Sequence, residues 1–361
     1  MKPTDNYYKQ REINCLTKIN SMLNDLPPMT REFVLGISEY TSPLTRLNYV
    51  YDIRIFFDYL VKTVYKSKII EELDLNDIES VELTHFENYL AYLSLYEING
   101  KQETCNERAK ARKLATVRAF YKYFFNKGKI KTNTVAKVSL PKLHDKEIIR
   151  LEINEVVKLL NLADSGDKFS KHQQAYHQST KIRDVAILTL FLGTGIRNSE
   201  LVGLNVDDIN FEEMSFAVTR KGGNRTILYF NDEVASALNA WLAKRNSIID
   251  LPEGEKALFL SLQNKRISVR TIQELVKKYA KIIAPLKKIT PHKLRSTFGT
   301  NLYRETNDIY LVADFLGHSD VNTTKKHYAA ITEENRRRVA NAVKLRNETP
   351  LVNREDTPDE E

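Results

Sequence analysis

The sequence predicts a two-domain, mainly α-helical protein whose second domain is α+β, with a small β-hairpin or sheet. Three observations carry this. The chain has 361 residues, enough for two domains. Apolar residues recur at helical spacing almost throughout, while strand-like runs cluster at residues 211–230. A basic stretch broken by Pro141 interrupts the pattern near residues 133–146 and reads as a linker.

Residues 1–30 form a polar helical extension, an arm or a packing helix, with Ile13, Leu16, Ile19 and Leu23 at helical spacing and Pro27-Pro28 ending it. Residues 31–145 then read as an all-helical domain. One helix opens at Thr45 and runs through Ile53, Phe56, Phe57 and Leu60; Phe86, Leu90, Tyr92 and Leu93 mark another. Residues 108–125 are the most informative. Leu114, Val117, Phe120, Tyr121 and Phe124 form one apolar face, and Arg108, Lys110, Arg112, Lys113, Arg118 and Lys122 crowd the rest. Such a face suits either solvent or phosphate contacts. Lys142 lies in the linker, which suits a strap against a polyanion.

The second domain spans residues 146–348. Ile153, Val156, Val157 and Leu160 begin it as an amphipathic helix. Residues 163–180, rich in Gln, His and Ser, read as an inserted loop; His172 and His177, with no carboxylate or Cys beside them, make poor metal ligands. Residues 181–192 are a buried helix stopped by Gly193 and Gly195. Strands follow at residues 215–218 and 226–230, around a turn at Lys221-Gly222-Gly223-Asn224. Helices are expected at 233–248 and 269–283, with a short apolar strand at 257–262 between them. A helix at 333–345 carries Arg336, Arg337 and Arg338, and residues 349–361 form an acidic disordered tail.

Composition bounds the function. The hydrophobic share is 42%, the charged share 28% and the net charge +8, an ordinary globular balance with a basic surplus that fits a polyanion partner. Cys15 and Cys105 alone supply neither a disulfide framework nor a zinc site. No run of some eighteen apolar residues suggests a membrane span, and Met1-Lys2-Pro3-Thr4-Asp5 has no apolar signal core, so the expected location is the cytoplasm.

The chemistry concentrates in residues 290–328. Thr290 can cap a helix and Pro291 suits its first position. His292 and Arg295, three apart, then share one face near a helix N-terminus, a place for an anion such as phosphate. Leu316-Gly317-His318 forms a tight turn, and Tyr328 follows ten residues after His318. Upstream, Gly193-Thr194-Gly195-Ile196-Arg197-Asn198-Ser199-Glu200-Leu201 places Arg197 at a helix start, where Glu200 can brace it or cap the helix. Between these boxes, Val218-Thr219-Arg220-Lys221-Gly222-Gly223-Asn224-Arg225 sets Lys221 at a hairpin edge.

These four motifs, in this order, resemble the tyrosine recombinase (phage integrase) family, and the resemblance covers roughly residues 35–345. It implies a SAM-like, core-binding domain followed by a tyrosine-recombinase catalytic domain. It implies a catalytic set of Arg197, Lys221, His292, Arg295, His318 and the nucleophile Tyr328, with Tyr310 a weaker second candidate for the nucleophile. By the same resemblance, Arg108, Arg112, Lys113, Arg118, Lys122 and Lys142 contact double-stranded DNA, and the protein self-associates into dimers and tetramers on it. No metal or other cofactor is implied, and any accessory protein is unknown. Within the family the layout is most similar to the longer single-protein Xer enzymes, which implies resolution of chromosome or plasmid dimers. A mobile-element integrase or transposase is the near alternative. A type IB topoisomerase and a non-catalytic DNA-binding protein on the same fold are further ones.

Overall fold

The computed structural model describes residues 4–98, 100–140, 142, 149–220 and 225–317. The chain divides into two compact units, Met1–Lys146 and Glu147–Glu361.

In the first unit, α1 (Thr4–Met22), α2 (Pro28–Gly36), α3 (Pro43–Thr63), α4 (Leu75–Glu79), α5 (Leu83–Tyr92) and α6 (Glu107–Asn126) surround one core. The starts of the helices are written in the sequence. Ser42 caps α3 by accepting from the Thr45 amide at 3.3 Å, with Pro43 next to it. Asn106 caps α6 by accepting from the Ala109 amide at 3.0 Å. The core is aromatic: Phe33, Phe56, Phe57, Phe86, Tyr89, Phe120, Tyr121 and Phe124 are all buried. Phe120 meets Phe33 and Phe124 edge to face at 5.3 and 5.0 Å.

The extension packs on the core: α1 lies on α3 through Cys15 and Ile19, with Leu23 buried just after it, while Ile13 and Leu16 point outward. One expectation for this unit changes, because it is not wholly helical. β1 (Tyr96–Ile98) and β2 (Lys101–Glu103) form an antiparallel hairpin. Its Asn99-Gly100 step is a strong hairpin signal in the sequence, and Gly100 has φ +73°.

The second unit is built on α8 (Lys171–Thr194). α7 (Ile153–Ser165), α10 (Asp232–Asn246) and α12 (Pro291–Thr306) pack against it. Its inner residues Ala186, Ile187, Leu188, Leu190 and Phe191 are fully buried. After α8 come α9 (Asn198–Gly203) and an antiparallel sheet in the order β3 (Ile209–Asn210), β4 (Ser215–Thr219), β5 (Arg225–Tyr229). β4 and β5 pair from Ser215–Tyr229 to Thr219–Arg225. Then follow α11 (Val269–Ile283), packed on α7, and α13 (Ile309–Leu316), packed on α12.

The expected loop at 163–180 is instead mostly helix. Ser170 caps α8 by accepting from the Gln173 amide at 3.4 Å, and the Gln173 side chain accepts from the Ser170 amide at 3.0 Å. Of the polar residues that suggested a loop, His177 and Thr180 are buried and the Gln and Ser side chains are exposed; the buried ones are paired with partners beyond the stretch. The Tyr279 hydroxyl donates to Asp184 at 2.9 Å and lies 3.2 Å from His177 Nδ1; Arg183 donates to Asp184 at 2.7 Å. The apolar run expected as a strand at 257–262 is buried from Ala257 to Leu260 but pairs only through single bridges, Asn205–Ala257 and Leu260–Arg266. Trp241 Nε1 and Arg245 Nε of α10 donate to the Leu258 and Ala257 carbonyls, at 2.8 and 2.9 Å, which replaces a ladder partner.

Candidate catalytic site

The site is assembled where four helix ends and the end of a strand meet. α8 stops at Gly195, which is left-handed at φ +62° and so closely packed that a Cβ would overlap Phe298. The next two residues turn the chain into α9, with Arg197 at its N-cap position. Glu200, three residues on and buried, accepts from the Arg197 backbone amide at 3.0 Å and from Arg197 Nη1 at 2.8 Å. One carboxylate thus caps the helix and aims the guanidinium. The other side of Arg197 donates through Nη2 to the carbonyls of Leu316 and Gly317, at 3.2 and 2.9 Å.

Arg295 arrives from α12. Pro291 occupies the first helical position as expected, while Thr290 sits at the N-cap without a capping side-chain bond. His292 is exposed in the first turn, one turn before Arg295, which is buried. Arg295 donates to the carbonyls of Gly195 and Leu316. Arg197 and Arg295, far apart in sequence, therefore share the Leu316 carbonyl. That carbonyl lies at the C-terminus of α13, where the helix dipole attracts cations. Gly317 ends α13 at φ +57°.

Arg220 reaches the same turn from the end of β4. Its Nη2 donates to the Phe315 carbonyl at 3.2 Å, and its guanidinium lies so close over Gly317 that a Cβ there would overlap it. Burial lowers its pKa from the usual arginine value; Glu200 opposes that shift and Arg197 adds to it. The sequence offered one sign of this role, the position of Arg220 beside Lys221.

Of the six expected catalytic residues, the structure brings Arg197 and Arg295 together and places His292 one turn from Arg295. Lys221, His318 and Tyr328 lie outside the described residues. Tyr310 is in the first turn of α13 and well exposed.

Of the six expected DNA contacts, Arg108, Arg112, Lys122 and Lys142 are exposed. Arg112 nevertheless converges with Lys113 and Thr116 of α6 on Asp52 of α3, which is fully buried. Arg112 Nη2 and Lys113 Nζ lie 2.9 and 3.1 Å from Oδ1, and Thr116 Oγ1 lies 2.9 Å from Oδ2. The Lys113 ammonium is itself buried and so faces the core. Arg118 donates to the carbonyls of Val135 and Val138, which fastens the segment after α6. This tethering by buried acids and carbonyls is invisible to periodicity, which shows only a basic face.

The arrangement gathers positive charge at one helix end. Two guanidiniums, one fixed by a carboxylate and both registered on the Leu316 carbonyl, make a place that suits an anion such as phosphate.

Comparison with known proteins agrees with this chemistry. The profile of the phage integrase family matches residues 150–335. The chain is 38% identical over 315 residues to the tyrosine recombinase XerC of Caldanaerobacter subterraneus subsp. tengcongensis, covering 83% of this chain and 82% of that protein. It is 36% identical over 237 residues to XerC of Thermodesulfovibrio yellowstonii, covering 65% and 74%. Among solved structures, the fold is similar to the XerH site-specific recombinase bound to palindromic difH substrate, with TM-score 0.66 and 17% identity over 91% of this chain and 88% of that one. It is also similar to the Tn1549 transposon integrase in complex with circular intermediate DNA, with TM-score 0.59 and 19% identity over 84% and 95%.

Proposed function

The chain belongs to the phage integrase family and is a tyrosine recombinase, an enzyme of site-specific DNA recombination; from that premise we propose that Arg197, Lys221, His292, Arg295, His318 and Tyr328 form its catalytic set. The observation that carries this is the convergence of Arg197 and Arg295 on the Leu316–Gly317 turn, directly before His318. DNA contacts come from residues 31–145, led by Arg108, Lys122 and Lys142, and catalysis from residues 146–348.

Each role follows from the charge that develops. A tyrosine phenol has a free pKa near ~10 and is a poor nucleophile until cations surround its target. Tyr328 attacks a backbone phosphorus, forming a 3′-phosphotyrosine and releasing a 5′-hydroxyl. Arg197 and Arg295 bind the non-bridging oxygens, whose charge grows in the pentavalent transition state. Lys221 protonates the leaving 5′-oxygen, His292 handles the tyrosine proton, and His318 hydrogen-bonds the phosphate. A 5′-hydroxyl from another strand then reverses the step. The phosphodiester energy is retained in the tyrosyl linkage, so strand exchange needs no ATP.

The reaction needs two DNA sites together, so the working form is a dimer on each site and a tetramer at synapsis. The relatives named XerC favour resolution of chromosome or plasmid dimers over mobile-element integration. The test is covalent trapping on nicked suicide duplexes, drawn from the replication terminus region and from the neighbourhood of the gene itself. The expected result is a complex with the parent protein and none with Tyr328→Phe, on terminus DNA. A complex with both proteins refutes Tyr328 as the nucleophile. Trapping only on DNA flanking the gene refutes the dimer-resolution role in favour of integration.

A further inference from the structure

We propose that Arg220 is a third guanidinium of the phosphate site, acting beside Arg197 and Arg295; this rests on the recombinase reading above. Four observations support it. Arg220 reaches the same turn as the other two arginines, bonding Phe315 while they bond Leu316 and Gly317. Its approach uses the missing side chain of Gly317, because any Cβ there would overlap the guanidinium. Its Nε is buried and has no hydrogen-bond partner. Among the described residues it forms no ion pair; Glu200, one of two carboxylates that influence it, is already bonded to Arg197, and the other, Asp314, is exposed.

A half-buried guanidinium stays charged, and holding it beside a second one without a carboxylate of its own is unfavourable. An arginine serving only to fasten the turn would gain from a neutral surrounding or an acidic partner. Arg220 instead sits beside Arg197 with no ion pair of its own among the described residues, since the buried Glu200 is bonded to Arg197. An anion at this turn answers that charge, and the charge of a phosphodiester grows as it becomes pentavalent. Arg220 also precedes Lys221 in the chain, so the strand that delivers the proposed general acid delivers this cation as well.

The experiment compares Arg220→Gln and Arg220→Lys with the parent, on two versions of the nicked duplex that the parent traps. One carries the native scissile phosphate. The other carries a methylphosphonate there, which is neutral and leaves less charge to stabilise. On native DNA, Arg220→Gln should lose on the order of 10²-fold in single-turnover cleavage, as when one preorganised donor is removed, with DNA affinity little changed. Arg220→Lys, which keeps the charge, should recover at least about tenfold of that loss. On methylphosphonate DNA the deficit of Arg220→Gln should shrink to within about threefold, because the charge it answers is gone. Parent-like cleavage of native DNA by Arg220→Gln overturns the proposal. An equal deficit on both duplexes, or in both variants, also overturns it and leaves Arg220 a fastening for the turn. Arg197→Gln separates this from the wider reading. If Arg197→Gln is inactive while Arg220→Gln is normal, only the role of Arg220 fails; if Arg197→Gln is fully active, or the parent traps no DNA, both fail.

Discussion

Replacing Glu200 with Gln tests how the site is aimed. Glu200 is buried, and its two oxygens serve two donors of Arg197, the backbone amide at 3.0 Å and Nη1 at 2.8 Å. Glutamine keeps one oxygen and turns an amide NH₂ toward the other donor. Either the helix loses its cap or the guanidinium loses its acceptor, and the buried negative charge disappears in both cases. A hydrogen bond to a charged group contributes about 1.5–3 kcal/mol. If that sum is lost from the orientation of Arg197 in the transition state, cleavage falls about 10- to 150-fold, at 1.36 kcal/mol per factor of ten. The assay is single-turnover formation of the covalent complex at saturating protein, with DNA binding measured separately by fluorescence anisotropy. A thermal melt of the variant confirms that the fold is retained. A folded Glu200→Gln protein that cleaves at the parent rate refutes the argument that this carboxylate aims Arg197.

Three further outcomes follow from the geometry. Asp52→Ala leaves Lys113 buried without its counter-charge and should destabilise the first unit by about 3–5 kcal/mol, read from urea unfolding; Asp52→Leu combined with Lys113→Met should recover most of it. Burial, with Lys278 adding to it and Asp184 opposing, holds the His177 imidazole below its usual pKa. The unfolded chain then takes up that proton first, so the contribution of His177 to stability is full at neutral pH and falls as the pH drops below about 6.5. His177→Gln should flatten that acid slope in urea midpoints taken between pH 7.5 and 5.5. Arg108→Ala and Lys122→Ala, both on the exposed face of α6, should each lower the salt dependence of DNA binding by about 0.9 in log–log slope. Arg118→Ala should leave that slope unchanged and lower the melting temperature, because its guanidinium holds the Val135 and Val138 carbonyls.

The sequence by itself determined the fold class and the family. The caps at Ser42, Asn106 and Ser170 are local, since each accepts a bond from an amide three residues away, yet apolar periodicity opened the first of these helices at Thr45 and the second at Arg108 and missed the third. The arginine boxes are local too, since Gly195, Arg197 and Glu200 define one turn and one cap within six residues. What periodicity could not show is how partners distant in sequence use their charges. Residues 163–180 looked like a loop because their polar side chains had no visible partners; Tyr279 of α11, about a hundred residues away, supplies one for His177 and another for Asp184. The basic face of α6 looked uniform, and only the fold shows that Asp52 buries Lys113 and pairs with the still exposed Arg112, while Arg108 and Lys122 lie exposed. The meeting of Arg197, Arg220 and Arg295 at one helix end was likewise decided by tertiary structure. Desolvation and carbonyl geometry select which cations converge there, and neither is a property of any short stretch of chain.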